Sequence, residues 1–285
     1  MSGKSRALAT VTSPGFLPGT LVMLHSFLHH NRWFDGDLVI IHQDLSAQDR
    51  AQLLSHFDRL IFVQPRPELV QNVQQLVQEM PSFAQQKTQF YSLEAIGLTA
   101  YDHVLFCDSD LLFQATVQEL FAMPYALICS GDGSFYRGTA RHPKSFVEMS
   151  DDVDNIGLHC AFNAGFMLMD RSIRTPQTLA KLIDMVDPRT WGENATGHTD
   201  QLLFNVVFHG KQHIVGPEYN YVLRHHKEIL KRSGLSPKDA KVLHFNGAAK
   251  PWDPVLMHRV SQSDAGLAQA ATRWNDAFRA LMKRT

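Results

Sequence analysis

Cysteine is scarce in this chain, and its scarcity bears on the compartment in which the protein works. Cys107, Cys129 and Cys160 are the three cysteines among 285 residues, and they form no Cys-x-x-Cys pair. The first two lie in apolar runs and the count is odd, so buried thiols are a better interpretation than a disulfide framework. We therefore predict a cytoplasmic location.

Excess charge and long hydrophobic segments are also missing. The chain has 27 basic and 28 acidic side chains, and a net charge of -1 does not favour nucleic acid as a partner. No apolar run approaches the length that crosses a bilayer, and we predict no signal peptide at the N-terminus. The 44% of hydrophobic residues predicts a globular protein with one large core or a core with an appendage.

Two nucleotide-binding motifs are absent from the place where they would be expected. Residues 7–12 are predicted to form a strand and residues 13–19 a loop, followed by a helix with a buried apolar stripe. The loop contains neither Gly-x-Gly-x-x-Gly nor a P-loop, which argues against a Rossmann dehydrogenase or a kinase. It also contains no lysine or arginine, whereas a nucleotidyltransferase would normally have a basic, glycine-rich loop there.

Strand-like and helix-like segments alternate along the rest of the chain. Further strands are predicted at residues 38–41, 60–63, 104–113, 126–129, 162–170 and 212–215, and from residue 242. Helices are predicted after Ser46, over residues 87–99, around 119–121, from Pro176, from residue 199 and over 264–282, with a loop and a short helix between 64 and 86. This alternation gives right-handed strand-helix-strand units, so we predict an α/β fold with a mostly parallel sheet.

Asp108 and Asp110 follow an apolar run that is typical of a strand buried on both faces. The same Asp-x-Asp pattern occurs at residues 35–37, in a predicted turn, and at residues 152–154, in a polar loop. Ligands of open α/β sheets bind beyond the carboxyl ends of the strands, and a divalent cation would relieve the repulsion between two carboxylates there. Taken alone, the pattern leaves a metal site and a polar strand end as alternatives.

Four further segments carry polar residues where a chemical site could use them. Lys87 precedes the strand of Asp108, Asn163-Ala164-Gly165 opens an apolar strand, and Asp200-Gln201 begins a helix. Residues 244–252 contain His, Gly, Lys and Trp within a single loop. Each has an ordinary structural alternative: an exposed lysine, a turn, or a helix cap. Gly165 suits a position where the backbone closely approaches another group.

In this order, the segments resemble glycosyltransferase family 8, which includes glycogenin and bacterial lipopolysaccharide galactosyltransferases. The resemblance spans about residues 7–252, and its most specific part is the string His-Phe-x-Gly-x-x-Lys-Pro-Trp. It implies a GT-A fold, with one Rossmann-like, mostly parallel sheet flanked by helices. The catalytic domain would cover residues 1–252 and a helical extension residues 253–285. The implied reaction moves a hexose from a UDP-sugar to a hydroxyl acceptor, with retention at the anomeric carbon.

The resemblance also implies roles for single residues. Mn²⁺, or Mg²⁺ in its place, would be held by Asp108, Asp110 and His244. The UDP moiety would contact Ala9, Val11, Thr12, Phe16, Lys87, Ser109, Gly247 and Lys250. The donor sugar would be lined by Asn163, Ala164 and Asp132. The candidates for a catalytic role beside the anomeric carbon are Gln201 and Asp200. The base site departs from the family, which commonly has Tyr in place of Phe16.

Retention allows a double displacement or a same-face substitution. A double displacement needs a nucleophile close to the anomeric carbon. An amide such as that of Gln201 is a poor one, so we favour the same-face route. Two other functions stay open: a nucleotidyltransferase, and a sugar-nucleotide-binding protein without transferase activity, which the presence of three presumed metal ligands disfavours.

The C-terminal tail, residues 264–282, has an apolar side and several basic residues. Packing of this side on the core is the main interpretation, and weak peripheral association with a membrane is the alternative. The acceptor is expected to depend on loops such as residues 131–157 and on the tail. No motif indicates the oligomeric state.

Overall fold

The computed structural model describes residues 5–137, 162–194 and 197–283. Its strands are β1 (Arg6–Val11), β2 (Asp37–Ile41), β3 (Leu60–Val63), β4 (His103–Cys107), β5 (Leu111–Phe113), β6 (Leu127–Gly131), β7 (Phe162–Asp170), β8 (Gln212–Val215), β9 (Tyr221–Val222) and β10 (Val242–His244). Seven form the central sheet in the order β3-β2-β1-β4-β7-β6-β8. Neighbours are parallel, except that β7 is antiparallel to both β4 and β6. The predicted α/β fold with a mostly parallel sheet is confirmed.

Helices flank this sheet and bury the side chains of its two faces. They are α1 (Leu17–His30), α2 (Ala47–His56), α3 (Pro67–Glu79), α4 (Gly133–Arg137), α5 (Pro176–Asp184), α6 (Pro188–Asn194), α7 (Asp200–Val207), α8 (His226–Ser233), α9 (Pro254–Ser261) and α10 (Ala265–Met282). Alternate residues of β4 enter two apolar clusters: Val104 and Phe106 face one, and Leu105 and Cys107 the other. The whole strand is buried, as its sequence predicts.

The strand predicted over residues 104–113 is wrong in one respect, because it is two strands in two sheets. β4 ends at Cys107, and β5 begins at Leu111 in a second sheet with the order β5-β10-β9. The intervening residues 108–110 make the crossover between the sheets. Polar residues in the middle of an apolar run therefore mark a change of sheet here.

Residues 64–97 also differ from their prediction. The short helix predicted between residues 64 and 86 is longer than expected, because α3 has 13 residues. Leu69, Val73 and Leu76 form its buried face, and its glutamines occupy other positions. The helix predicted over 87–99 is a 3-10 run over Pro81–Gly97. Every residue from 90 to 96 of this run is buried, so its burial does not follow one helical face.

The C-terminal helix α10 uses its apolar side for packing. Ala271, Trp274 and Leu281 are buried, and Leu267 and Phe278 pack against the core. Among the described residues, no helix is both long and apolar enough to cross a bilayer. The domain boundary at residue 252 remains a prediction. Three features of the sequence lie outside the described residues: the Asp-x-Asp copy at 152–154, most of the loop 131–157 expected to contact the acceptor, and Cys160.

Candidate active site

Three strand ends meet at one edge of the central sheet. Asp108 follows the carboxyl end of β4, and Asp132 follows that of β6. Because β7 is antiparallel to both strands, its amino end lies at the same edge, with Asn163, Ala164 and Gly165 near its beginning. The sheet thus brings together three segments that are well separated in sequence.

The second sheet adds His244 to the two carboxylates. β10 pairs with β5 in a register that places His244 opposite Leu111, next to Asp110. His244 Nε2 lies 3.2 Å from Asp110 Oδ1 and 3.5 Å from Asp108 Oδ2. One ligand atom from each residue fits within 4.8 Å of the others. The predicted metal-ligand set is therefore one compact cluster.

Asp110 is a buried carboxylate between two cationic groups. Lys250 Nζ donates to Asp110 Oδ2 and, at 2.8 Å, to the carbonyl of Phe245. Burial alone would raise the pKa of Asp110, but Lys250 and His244 outweigh it and hold this pKa well below its usual range. Asp110 Oδ1 is buried, yet it makes no hydrogen bond of acceptable geometry despite its proximity to His244. A buried anionic oxygen with a free lone pair suits a cation.

His244 is also buried, and it faces both carboxylates through one ring nitrogen. Burial would lower the pKa of His244, but the charges of Asp110 and Asp108 outweigh it and raise the pKa to about 9. The other ring nitrogen, Nδ1, lies 2.9 Å from Asn220 Oδ1. The cluster offers two carboxylates and an imidazole, a donor set that fits Mn²⁺.

Gly165 permits this close assembly. A Cβ atom at Gly165 would lie 2.5 Å from Asp108 Oδ2 and 2.6 Å from His244 Cε1. Real side chains essentially never approach so closely, so the position requires glycine or a rearrangement. The predicted close approach of the backbone at Gly165 is present.

The donor-sugar candidates form a hydrogen-bonded group beside the cluster. Gln201 Oε1 accepts from Asn163 Nδ2 at 3.0 Å and lies 3.4 Å from the backbone nitrogen of Ala164. Gln201 Nε2 donates to Asp132 Oδ2 at 3.2 Å. Asp132 Oδ1 accepts from the backbone nitrogen of Phe135 at the start of α4. These four candidates therefore share one polar network.

Asp200 is next to Gln201 in the sequence, but its side chain contacts other residues. Its carboxylate accepts from Ser92 Oγ at 2.6 Å and lies 3.0 Å from Thr199 Oγ1. Burial, together with the charge of Asp108, raises the pKa of Asp200 to about 7. The structural alternative for Asp200, a helix cap, does not match its position: Asp200 is the first residue of α7, and the N-cap residue is Thr199, whose side chain makes no capping hydrogen bond.

The residues predicted to contact the nucleotide base lie at the end of β1 and in the turn that follows it. The loop that carries Lys250 and Trp252 packs on them. The Phe16 ring, 37% exposed, meets the Trp252 ring edge-on with centroids 5.5 Å apart. Lys250 Nζ lies 5.5 Å from the Phe16 ring centroid, so this lysine extends from Asp110 to the base side. Trp252 in turn lies 6.0 Å from Trp274 of α10. The C-terminal helix thus supports the loop that carries Lys250.

Two residues of β1 and its turn differ in their access. Val11 is partly exposed, whereas Thr12 is buried and accepts from the Thr20 hydroxyl at 2.6 Å. Ala9 has no accessible surface, because it lies in the interior of β1 within the core. We therefore leave the Ala9 side chain out of the proposed base site.

Three other residues were predicted to contact the nucleotide: Ser109, Gly247 and Lys87. Ser109 is buried, and its carbonyl oxygen closely approaches Gly19 of α1. Gly247 adopts a φ of 99°, a conformation that favours glycine. Lys87 lies on the 3-10 run, where its side chain is exposed and makes no ion pair or hydrogen bond with the described residues. The structure leaves the role of Lys87 as a prediction.

The sequence profile described as "Glycosyl transferase family 8" matches residues 7–255. This chain belongs to glycosyl transferase family 8. Lipopolysaccharide 1,3-galactosyltransferase of Salmonella typhimurium is 27% identical over 171 residues, 56% of this chain and 47% of that protein. Uncharacterized protein R707 of Acanthamoeba polyphaga mimivirus is 21% identical over 242 residues, 84% of this chain and 78% of that protein. The match to the galactosyltransferase thus spans about half of that relative's length.

Solved structures with the same fold cover nearly the whole family 8 chain. The galactosyltransferase LgtC, in complex with donor and acceptor sugar analogs, superposes with a TM-score of 0.68 at 17% identity, over 96% of this chain and 95% of its own. Mouse xyloside xylosyltransferase 1 gives a TM-score of 0.55 at 15% identity, over 85% of this chain and 97% of its own. These likenesses establish the GT-A fold.

Two residues at this family 8 site escaped the sequence reasoning. Asn220, completely buried, contacts His244, which is distant in sequence. Arg224 is exposed, and its Cδ lies 3.8 Å from the position of a Cβ at Gly247. No local pattern marks either residue, because the pairing of β9 with β10 alone brings them to the late loop.

Proposed function

We propose that the protein is a metal-dependent, retaining hexosyltransferase that moves a hexose from a UDP-sugar to a hydroxyl acceptor. One observation carries this proposal above the others: Asp108, Asp110 and His244 form a compact ligand set. Lys250 ties that set to the base-side ring of Phe16. A diphosphate joined to a base could use a cation for its phosphates and an aromatic surface for its base.

The residues present fit a divalent cation. The unsatisfied oxygen of Asp110 and the ring nitrogen of His244 that faces it are both buried, and Asp108 is partly open to solvent. Among the described residues, Asp108 gives this cluster its exposed side, where a phosphate oxygen could approach a bound cation. A bound Mn²⁺ or Mg²⁺ would supply Lewis acidity that stabilises negative charge on the departing UDP.

The protein's own side chains would have separate tasks in the transfer. Lys250 would contribute positive charge beside the diphosphate, and Asn163 and Gln201 would orient the sugar. In the same-face route, the bond between the anomeric carbon and the UDP oxygen breaks while the acceptor oxygen bonds to that carbon. The acceptor proton passes to the departing phosphate oxygen, so no protein base is consumed.

The double-displacement alternative is less well supported by the surroundings of the candidate nucleophiles. The Asp200 carboxylate is engaged by Ser92 and lies against Thr199. Gln201 offers an amide whose oxygen already accepts from Asn163. Neither group is poised as a free nucleophile, which favours the same-face route.

A donor screen tests the function. The protein is incubated with Mn²⁺ and a panel of UDP-sugars, UDP release is measured, and products formed with candidate acceptors are identified by mass spectrometry and NMR. We expect UDP release that needs Mn²⁺ and an α-linked product from an α-linked donor. Inversion at the anomeric carbon would contradict retention. Binding of UDP-sugar without turnover would favour the binding-protein alternative. Formation of UTP and sugar 1-phosphate after addition of pyrophosphate would favour a nucleotidyltransferase.

An Asp110→Asn variant tests the metal site directly. Loss of this buried charge should lower Mn²⁺-dependent turnover by about 100-fold or more, since ligand and charge are removed together. Asp35→Asn is the matched control, because Asp35 belongs to another Asp-x-Asp pattern and its side chain is 81% exposed. Unchanged turnover in the folded Asp110→Asn protein would contradict the metal assignment.

A further inference from the structure

A line of polar side chains connects the metal ligands to the donor-sugar candidates. His244 Nδ1 lies 2.9 Å from Asn220 Oδ1, and Asn220 Nδ2 donates to Asn163 Oδ1 at 2.9 Å. Asn163 Nδ2 donates to Gln201 Oε1 at 3.0 Å, and Gln201 Nε2 donates to Asp132 Oδ2 at 3.2 Å. Each of the three amides in this line uses its oxygen on one side and its nitrogen on the other.

A backbone N–H group sets the direction of the whole line. The nitrogen of Gly165 donates to one side-chain atom of Asn163 at 3.0 Å, so that atom must be the amide oxygen. The Asn220 atom that faces this oxygen must then be its nitrogen, which leaves the Asn220 oxygen facing His244. At the other end, the carboxylate of Asp132 can only accept when ionised, which agrees with the same direction.

This direction decides which nitrogen of His244 keeps its proton when the ring is neutral, the form that can bind a metal ion. The Asn220 oxygen can only accept, so the His244 Nδ1 that faces it must carry a hydrogen. In the neutral ring the lone pair is then on Nε2. Nε2 is the atom that faces Asp108 and Asp110. Metal-bound histidines commonly donate their other N–H to such a partner, which fixes the ring orientation.

We propose that Asn220 is a positioning residue that holds His244 in the Nδ1–H tautomer and ties this metal ligand to Asn163 in the donor-sugar site. Asn220 has no accessible surface, so bulk water cannot replace its side chain. It lies between the 3-10 turn Pro217–Tyr219 and β9, where Val222 pairs with His244. The inference rests on the proposed function, since it assigns a structural basis to the same metal and sugar sites.

Two substitutions separate the two tasks of Asn220. Asn220→Ala removes both the acceptor for His244 and the donor for Asn163. Asn220→Asp keeps an acceptor for His244 but turns an oxygen toward Asn163 Oδ1. We expect the dissociation constant of Mn²⁺ to rise about 10- to 100-fold in the alanine variant. In the aspartate variant it should stay within about threefold of wild type or fall, while affinity for UDP-galactose or UDP-glucose drops.

The measurements are titrations of Mn²⁺ by electron paramagnetic resonance and of each UDP-sugar by calorimetry. Asn31→Ala is the matched control, because Asn31 is equally buried and accepts from the backbone of Val117, in a hydrogen-bonded group that does not include the site residues. It should lower the melting temperature without changing Mn²⁺ affinity. Nitrogen-15 NMR of the wild-type protein with saturating Mg²⁺ reads the tautomer, with the His244 signal assigned by its loss in His244→Gln.

Each outcome decides the inference. A wild-type His244 ring protonated at Nε2 and not at Nδ1 would overturn it, as would equal Mn²⁺ affinity in wild type and Asn220→Ala. Equal loss of Mn²⁺ in the alanine and aspartate variants would show a purely structural role. If Asn220→Ala does not fold, the NMR measurement and Asn220→Asp still decide. If no UDP-sugar binds the wild type, the proposed function fails, while the tautomer and Mn²⁺ results still judge Asn220.

Discussion

Replacing Gly165 with alanine should damage the metal site more than the fold. The new Cβ would lie 2.5 Å from Asp108 Oδ2 and 2.6 Å from His244 Cε1, whereas ordinary contacts begin at 3.4 Å. The first distance must therefore grow by about 0.9 Å and the second by about 0.8 Å. Asp108 is partly exposed and can rotate, but His244 is buried and hydrogen-bonded to Asn220.

The strain therefore falls mainly on His244 and on the β10 backbone that carries it. Overpacking of this size costs about 1–3 kcal/mol of unfolding free energy. A displacement near 1 Å in a catalytic arrangement can reduce the rate about 100-fold. We expect Gly165→Ala to remain folded, to bind Mn²⁺ more weakly, and to lose turnover by about that factor.

Urea unfolding, Mn²⁺ titration and steady-state kinetics measure these three quantities. Gly192→Ala is the matched control, because a Cβ there meets nothing within 4 Å and α6 should gain about 0.5–1 kcal/mol from it. A Gly165→Ala protein with wild-type Mn²⁺ affinity and wild-type kcat/KM would refute the reasoning from close contact.

Two further predictions concern stability. Burial and the charge of Asp108 raise the pKa of Asp200 to about 7 from its ordinary 3.8, so the contribution of this carboxyl group to stability should fall as pH rises from about 4 to 7. Asp200→Asn should remove this pH dependence, whose upper limit is about 4 kcal/mol for a pKa change of this size. Urea unfolding of the metal-free wild type and variant measures it across this pH range. Parallel pH profiles of the two proteins would contradict the prediction. Arg174→Met should cost about 3–5 kcal/mol, because the buried guanidinium donates to three backbone carbonyls. Arg189→Met, at a side chain 86% exposed, should cost less than about 1 kcal/mol in the same assay, and equal losses would refute the argument.

Local sequence signals predicted the elements whose causes are local. The helix predicted after Ser46 begins there, and the Ser46 and Asp49 side chains each accept from the other's backbone nitrogen. Pro176 is the first residue of α5, where its missing N–H costs nothing. The buried run of β4 was predictable because an apolar segment between polar ends has few other places in a globular fold.

Elements that depend on distant partners were predicted less well. Residues 104–113 form one apolar run with a polar interruption, and nothing within it states that β5 pairs with β10 instead of extending β4. The glutamines of α3 concealed an amphipathic helix whose buried residues are Leu69, Val73 and Leu76. In both cases the missing information was which surface each segment packs against.

The sequence by itself determined the kinds of chemical groups and their order: two aspartates after a buried strand, a polar start to a later strand, and a histidine and a lysine in a late loop. Only the tertiary structure decided their distances. The antiparallel β7 brings Asn163 to the carboxyl end of β4, and the β5–β10 register places His244 beside Asp110. The tertiary structure also brings Asn220 to His244, because residues far apart in sequence can form a hydrogen bond only after the strands beside them have paired.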